Sequence, residues 1–189
     1  MNILDSLYEE SIWREFLQYK IEKQHLSGKE QKQMEEYIRE KKYLPLLIEM
    51  EQEGYELPLP FKKEINKGGT SKKRVVYSYP EDFSMLLKMV AFLLYRYDGM
   101  FSDNCYAFRR NFGVKDAMRR IRHTKGISEK YCLKVDISNY FNSIDVSMLL
   151  EKLIFLKRED AFLYDMFERI LTADKAIVCT GNDSLTSEK

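Results

Sequence analysis

The stretch that most constrains this chain is Tyr-Cys-Leu-Lys-Val-Asp-Ile-Ser-Asn-Tyr-Phe-Asn-Ser-Ile-Asp, residues 131–145. Tyr131, Leu133 and Val135 alternate with Cys132, Lys134 and Asp136, the period of a β-strand, which sets the Asp136 carboxylate on the face opposite the apolar stripe. Ser138 and Asn139 favour a turn, which lays Tyr140 and Phe141 beside whatever Asp136 holds. Taken alone, Asp136 has two readings: an aspartate that closes a turn through its own backbone, or a carboxylate offered to a ligand.

What surrounds this stretch is a mixture of helices and short strands, an α+β pattern. Leu4, Leu7, Tyr8, Ile12, Phe16 and Tyr19 recur at helical spacing over 2–25, and Ser27-Gly28 ends that run. Helices are expected over 29–41, with Met34, Tyr37 and Ile38 inward, and from Pro45 to Gln52 before Gly54. After the stiff Leu57-Pro58-Leu59-Pro60 connector, the runs 61–66 and 73–79 flank a glycine-centred gap, a hairpin signal. Pro80, Glu81 and Asp82 start a helix with Phe83, Leu86, Leu87, Val90, Ala91 and Leu94 on its apolar face. A further helix over 114–123 is expected to turn Ala117, Met118 and Ile121 inward. Beyond the central stretch, helices over 146–156 and 160–171 and a short strand over 176–179 are expected, with 180–189 a polar loop.

Charge is distributed unevenly. Residues 1–60 hold 8 basic and 13 acidic residues, 61–130 hold 16 and 7, and 131–189 hold 7 and 10, although the whole chain is only +1. The basic middle third is either a surface that meets a polyanion or a solvated basic face. The hairpin contributes Lys62, Lys63, Lys67, Lys72, Lys73 and Arg74, and Gly68-Gly69 between lysines leaves room for phosphate oxygens to approach backbone amides. In Tyr106-Ala107-Phe108-Arg109-Arg110-Asn111-Phe112, aromatic rings interleave with arginines, a composition suited to base stacking with phosphate contact and also to ordinary core packing.

Three cysteines without a Cys-x-x-Cys spacing and only two histidines argue against a zinc site or a disulfide framework, and fit a reducing cytoplasmic setting. The most apolar run, Phe83 to Leu94, is too short to cross a bilayer and carries Lys88, so no membrane partner is expected.

The order of these pieces resembles the first half of a bacterial reverse transcriptase of the retron and group II intron type, over roughly residues 60–155. The segment Tyr106-Ala107-Phe108-Arg109-Arg110 is similar to the family's Tyr-Gly-Phe-Arg-Pro, with Ala107 where glycine is usual and Arg110-Asn111 where Pro-Gly is usual. The run Lys134 to Asp145 resembles the family's first catalytic motif. The resemblance implies right-hand polymerase fingers, helices plus a basic hairpin, joined to the first part of a palm. The corresponding spans are an N-terminal helical segment over 1–60, fingers over 61–125 and the partial palm over 126–189.

On that resemblance Asp136 is a catalytic carboxylate that binds Mg2+, with the Ile137 carbonyl as a second metal ligand. Phe141 lies against the nucleotide sugar, Lys67 and Arg74 hold the triphosphate, and Arg109 contacts template or nucleotide. Lys72, Lys73, Arg110 and Arg119 face nucleic acid. The partners implied are an RNA template, a DNA or RNA primer and deoxynucleoside triphosphates. The family's glycine-rich Pro-Gln-Gly and Tyr-x-Asp-Asp motifs do not occur in the 189 residues. They are expected just after residue 189, which implies a fragment inactive by itself that self-associates through its exposed strand and helix faces. The alternatives are a non-catalytic nucleic-acid-binding module on a fingers scaffold and, less supported, a metal-dependent nuclease using Asp136 and Asp145. Intron mobility, retron synthesis, diversity generation and phage defence all use similar first halves, and the sequence does not choose among them.

Overall fold

The computed structural model describes residues 2–66, 68, 69, 71, 73–180 and 183–188, with the backbone alone described for 179–180 and 183–188. It is α+β and divides into two compact units, one of residues 1–90 and 146–189, the other of residues 91–145. This division cuts across the expected spans 1–60, 61–125 and 126–189, because the C-terminal strands pair with the N-terminal hairpin.

The first unit begins with helices α1 (Ile3–Tyr8), α2 (Glu10–Gln24), α3 (Gly28–Arg39) and α4 (Leu44–Met50). The expected single helix over 2–25 is two helices, broken at Glu9, whose backbone is extended (φ −84°, ψ 112°). The break re-aims the second helix, so the apolar residues buried are Ile3, Leu7, Trp13, Phe16 and Leu17, with Trp13 the largest. Its indole stacks on Tyr43 at 4.7 Å and 19°. The starts of α1 and α3 are set locally: Asn2 and Asp5 form a capping box on α1, and Ser27 and Glu30 form another on α3. Pro45 lies in the first turn of α4, where its missing N–H has no intrahelical partner to lose.

Strands β1 (Phe61–Asn66) and β2 (Lys73–Ser78) form the expected antiparallel hairpin, with Phe61 opposite Ser78 and Asn66 opposite Lys73. After helix α5 (Glu81–Leu93), the chain returns to this unit with α7 (Val146–Glu159), α8 (Ala161–Thr172), β3 (Lys175–Thr180) and β4 (Asp183–Glu188). β3 runs parallel to β1, with Phe61 opposite Ile177, and the Ile177 N–H donates to the Pro60 carbonyl at 2.8 Å. The resulting sheet has the order β2-β1-β3-β4. The expected loop over 180–189 therefore contains a strand. Its polar sequence hid it, because an edge strand pairs through backbone and needs no apolar side chains.

Asp160 joins the two ends of this unit. Its carboxylate caps α8 by accepting the Leu163 N–H at 3.0 Å, and its other oxygen accepts the Ile3 N–H at the start of α1 at 2.5 Å. The side chain is buried, so both amides depend on it. Asp160→Ala is expected to cost about 2–4 kcal/mol in urea unfolding, and Asp160→Asn, which keeps one acceptor oxygen, about half as much. A cost below about 0.5 kcal/mol for the alanine variant would show that these amides find water instead.

The second unit contains the end of α5, a 3-10 segment over Leu94–Met100, helix α6 (Val114–Arg122) and the 131–145 stretch. From Leu94 to Asp145 no residue is buried. Two expectations fail here. Met118 and Ile121, expected inward on α6, are 60% and 53% exposed. The expected strand over 131–136 is chain without a ladder. Alternation in sequence shows that a segment can serve as a strand, whereas a ladder needs a neighbouring strand to take its N–H and C=O groups.

Candidate functional site

The residues singled out by sequence fall into three groups: the β1–β2 hairpin in the first unit, and the Arg109 turn and the Asp136 segment in the second.

In the hairpin, alternation sends Lys73, Val75 and Tyr77 to one face and Arg74 and Val76 to the other. The two basic residues therefore do not act on one ligand from the same face. Lys73 is held by Glu64 on the partner strand, Nζ to Oε2 at 2.8 Å. That hydrogen bond lowers the Glu64 pKa and raises that of Lys73. Arg74, on edge strand β2 opposite Ile65, is exposed. Lys67 and Lys72 lie outside the described residues.

The Arg109 turn is tied down from several directions. The Arg109 guanidinium donates to the Ser102 carbonyl at 3.3 Å and the Cys105 carbonyl at 3.4 Å. It lies 3.6 Å from the Asp98 carboxylate and stacks over Phe112 at 4.2 Å. Its side chain is only 8% exposed, and its Nε is buried without a hydrogen bond. The same Asp98 accepts the Arg110 N–H at 3.3 Å, and the Arg110 guanidinium lies over Phe92 at 5.0 Å. From α6, Arg120 donates to the Asp103 carbonyl and the Tyr106 hydroxyl, while Arg119 pairs with Asp116 at 2.9 Å. Arg109 is thus engaged in holding the turn, and it reaches a ligand only by exchanging these partners. Sequence reading passed over Asp98, which organises two of the arginines. Phe108, one of the aromatics that the sequence interleaves with these arginines, is 91% exposed on a left-handed backbone, φ +56°.

The Asp136 segment ends in a compact turn. Asn139 takes a left-handed conformation (φ 51°, ψ 38°), and its carbonyl accepts the N–H groups of Asn142 and Ser143 at 3.0 and 3.1 Å. The Asn142 side-chain amide donates to Asn139 Oδ1 at 2.8 Å, and the Ser143 hydroxyl donates to the Tyr140 carbonyl at 2.9 Å. The single 3-10 turn Tyr140–Ser143 sets the Tyr140 and Phe141 rings edge to face at 5.3 Å and leaves Phe141 71% exposed. Asn is among the few residues that tolerate this backbone, which explains Asn139 at the corner. Asp136 itself is exposed, three residues before Asn139, on chain without a ladder.

No known protein family, curated protein or solved structure matches this chain.

An exposed carboxylate beside a free-running backbone carbonyl supplies the hard oxygen donors that Mg2+ takes, so Asp136 and Ile137 suit part of a coordination set. Among the described residues, no group of three or more Asp, Glu, His or Cys is arranged to hold a metal ion. Two cations side by side need more negative charge than one carboxylate supplies. Asp136 and Ile137 therefore do not by themselves make a complete centre.

Proposed function

We propose that this chain is the fingers and first palm segment of an RNA-directed DNA polymerase, and that these 189 residues bind nucleic acid without polymerising it alone. The observation that carries the reading is the Lys134–Asp145 run: Asp136 is exposed on chain without a ladder, and one tight turn a few residues on leaves the Phe141 ring exposed. A carboxylate can bear on phosphate chemistry by holding a cation, and the aromatic ring five residues on is the proposed contact to a sugar. Mg2+, when bound, would polarise the α-phosphate and stabilise the pyrophosphate leaving group. Asp136 and the Ile137 carbonyl would hold it, and Phe141 would disfavour a 2′-hydroxyl by contact.

Arg74 on the exposed edge of the hairpin suits a triphosphate oxygen, because its guanidinium forms paired hydrogen bonds. Lys67 is the second proposed triphosphate contact, and Lys72, Lys73, Arg110 and Arg119 form the proposed nucleic-acid contacts. Arg109 supports them by fixing the turn. RNA template, primer and deoxynucleoside triphosphates are the proposed partners. The stretch 131–137, which has no ladder and leaves Tyr131, Leu133, Val135 and Ile137 between 61% and 105% exposed, supports self-association of this chain.

A reducing cytoplasmic setting is proposed as well, supported by the free thiols of Cys105 and Cys132. Among the described residues, no helix is long and apolar enough to cross a membrane. The second reading, a binding module without catalysis, is favoured by the absence, among the described residues, of any group of three or more Asp, Glu, His or Cys that could hold a metal ion.

Primer extension separates the two. The product of the whole reading frame is expected to extend oligo-dT on poly-A RNA with Mg2+, and the 189-residue chain to bind the same RNA with an affinity that falls steeply with salt. Salt-sensitive binding without extension by the whole product selects the binding module. Binding with a flat salt response removes the basic block as the contact surface.

A further inference from the structure

We infer that Phe108 is a stacking platform for a base of single-stranded RNA, held out by the clamped Arg109 turn. The inference rests on the nucleic-acid-binding reading above and names a contact residue for it.

Two independent features of Phe108 work against the fold. Its ring is 91% exposed, so it gains nothing from burial. Its backbone is left-handed at φ +56°, a conformation that Cβ and a bulky ring disfavour and that glycine or asparagine adopts without strain. A strained backbone persists only where its surroundings impose it. Here they do: on one side Arg109 is bound to two carbonyls and lies against Asp98 and Phe112, and the Arg110 N–H is bound to Asp98. On the other, the Cys105 thiol approaches the Ala107 carbonyl at 3.7 Å. Arg120 fastens α6 to the same loop through Asp103 and Tyr106. The ring is presented rather than left over.

Its surroundings select the ligand. Residues 91–145 carry 10 basic against 6 acidic residues, a net +4. Along the chain Phe108 is followed by Arg109, Arg110 and Asn111, so its sequence neighbours on that side are basic and polar rather than apolar. A flat ring set among cations matches a ligand with unstacked π-faces on a polyanionic chain, which is single-stranded nucleic acid. In a duplex the bases are already stacked on one another, so the site discriminates against it. Because every base has a π-face, the contact is tolerant of sequence.

The test is equilibrium binding of the 189-residue chain to a single-stranded RNA oligonucleotide, with photocrosslinking through 5-iodouridine in the same strand. Phe108→Ala is expected to weaken binding about tenfold while leaving the slope of log affinity against log salt unchanged, because the phosphate contacts remain. Phe108→Trp retains the affinity. Phe108→Gly relieves the backbone strain, so it loses affinity like the alanine variant with a melting temperature no lower than wild type, which separates binding from folding. Phe101→Ala, at an exposed aromatic with extended backbone (φ −82°), leaves binding unchanged. The crosslink is expected in the peptide containing Phe108. Salt-dependent binding that Phe108→Ala does not alter, or a crosslink elsewhere only, overturns the stacking site while the nucleic-acid reading stands. No binding by wild type overturns both.

Discussion

Asp136→Ala is expected to reduce templated primer extension by the whole reading-frame product by about a thousandfold or more, the loss that follows when several kcal/mol of cation binding and transition-state stabilisation disappear. The carboxylate is exposed and stands on chain without a ladder, so the substitution removes no packing. Stability is therefore expected to stay within about 0.5 kcal/mol of wild type. RNA affinity is expected to hold or rise slightly, because removing a negative charge near phosphates removes a repulsion. The combination is diagnostic. A turn-closing aspartate would lose stability and leave extension intact, whereas a metal ligand shows the reverse. Extension at wild-type rate by Asp136→Ala ends the catalytic assignment.

Trp13→Ala is expected to be the most damaging substitution for folding, at about 4 kcal/mol. Trp13 is fully buried, stacks on Tyr43, and meets Phe16 edge to face and Tyr37 at a tilt. It also has a polar task. α1 ends at Tyr8, so the Leu7 carbonyl is among those without an intrahelical partner, and the Trp13 Nε1–H donates to it at 2.8 Å. One side chain thus fills the centre of the helical cluster and satisfies the break between α1 and α2. Trp13→Phe keeps the ring and loses the donor, so it is expected to cost about 1–2 kcal/mol. Urea unfolding followed by far-ultraviolet circular dichroism measures both, since Trp13 is the single tryptophan and fluorescence would lose its probe. An alanine cost under about 1 kcal/mol would mean that the cluster closes over the space.

The helices and the hairpin were legible because local chemistry decides them. The Ser27–Glu30 capping box, Pro45 and Pro80, and the glycines between 66 and 73 mark where elements start and stop within a few residues of the chain. The registry of α2 was less legible. Leu4, Ile12 and Tyr19 have helical spacing, but the extended Glu9 rotates the second helix relative to the first, and Trp13 and Leu17 take the core positions. β4 escaped notice because it pairs along the sheet through backbone groups that every residue carries.

The candidate site divides in the same way. The sequence by itself determined the turn after Asp136, since Ser138 and Asn139 favour it through their own side chains and Asn139 tolerates the left-handed backbone. It also determined which residues carry charge to offer a ligand. Only the tertiary structure decided which of those charges are already engaged: Arg109 is held by Asp98 and two carbonyls, Lys73 by Glu64, and Arg74 stands on the opposite face of the hairpin. It alone decided that the 131–136 stretch remains without a ladder and that the C-terminal strands join the N-terminal hairpin. Those outcomes depend on which segments meet across the sequence, and the local pattern of a strand or a basic turn carries no information about its neighbour.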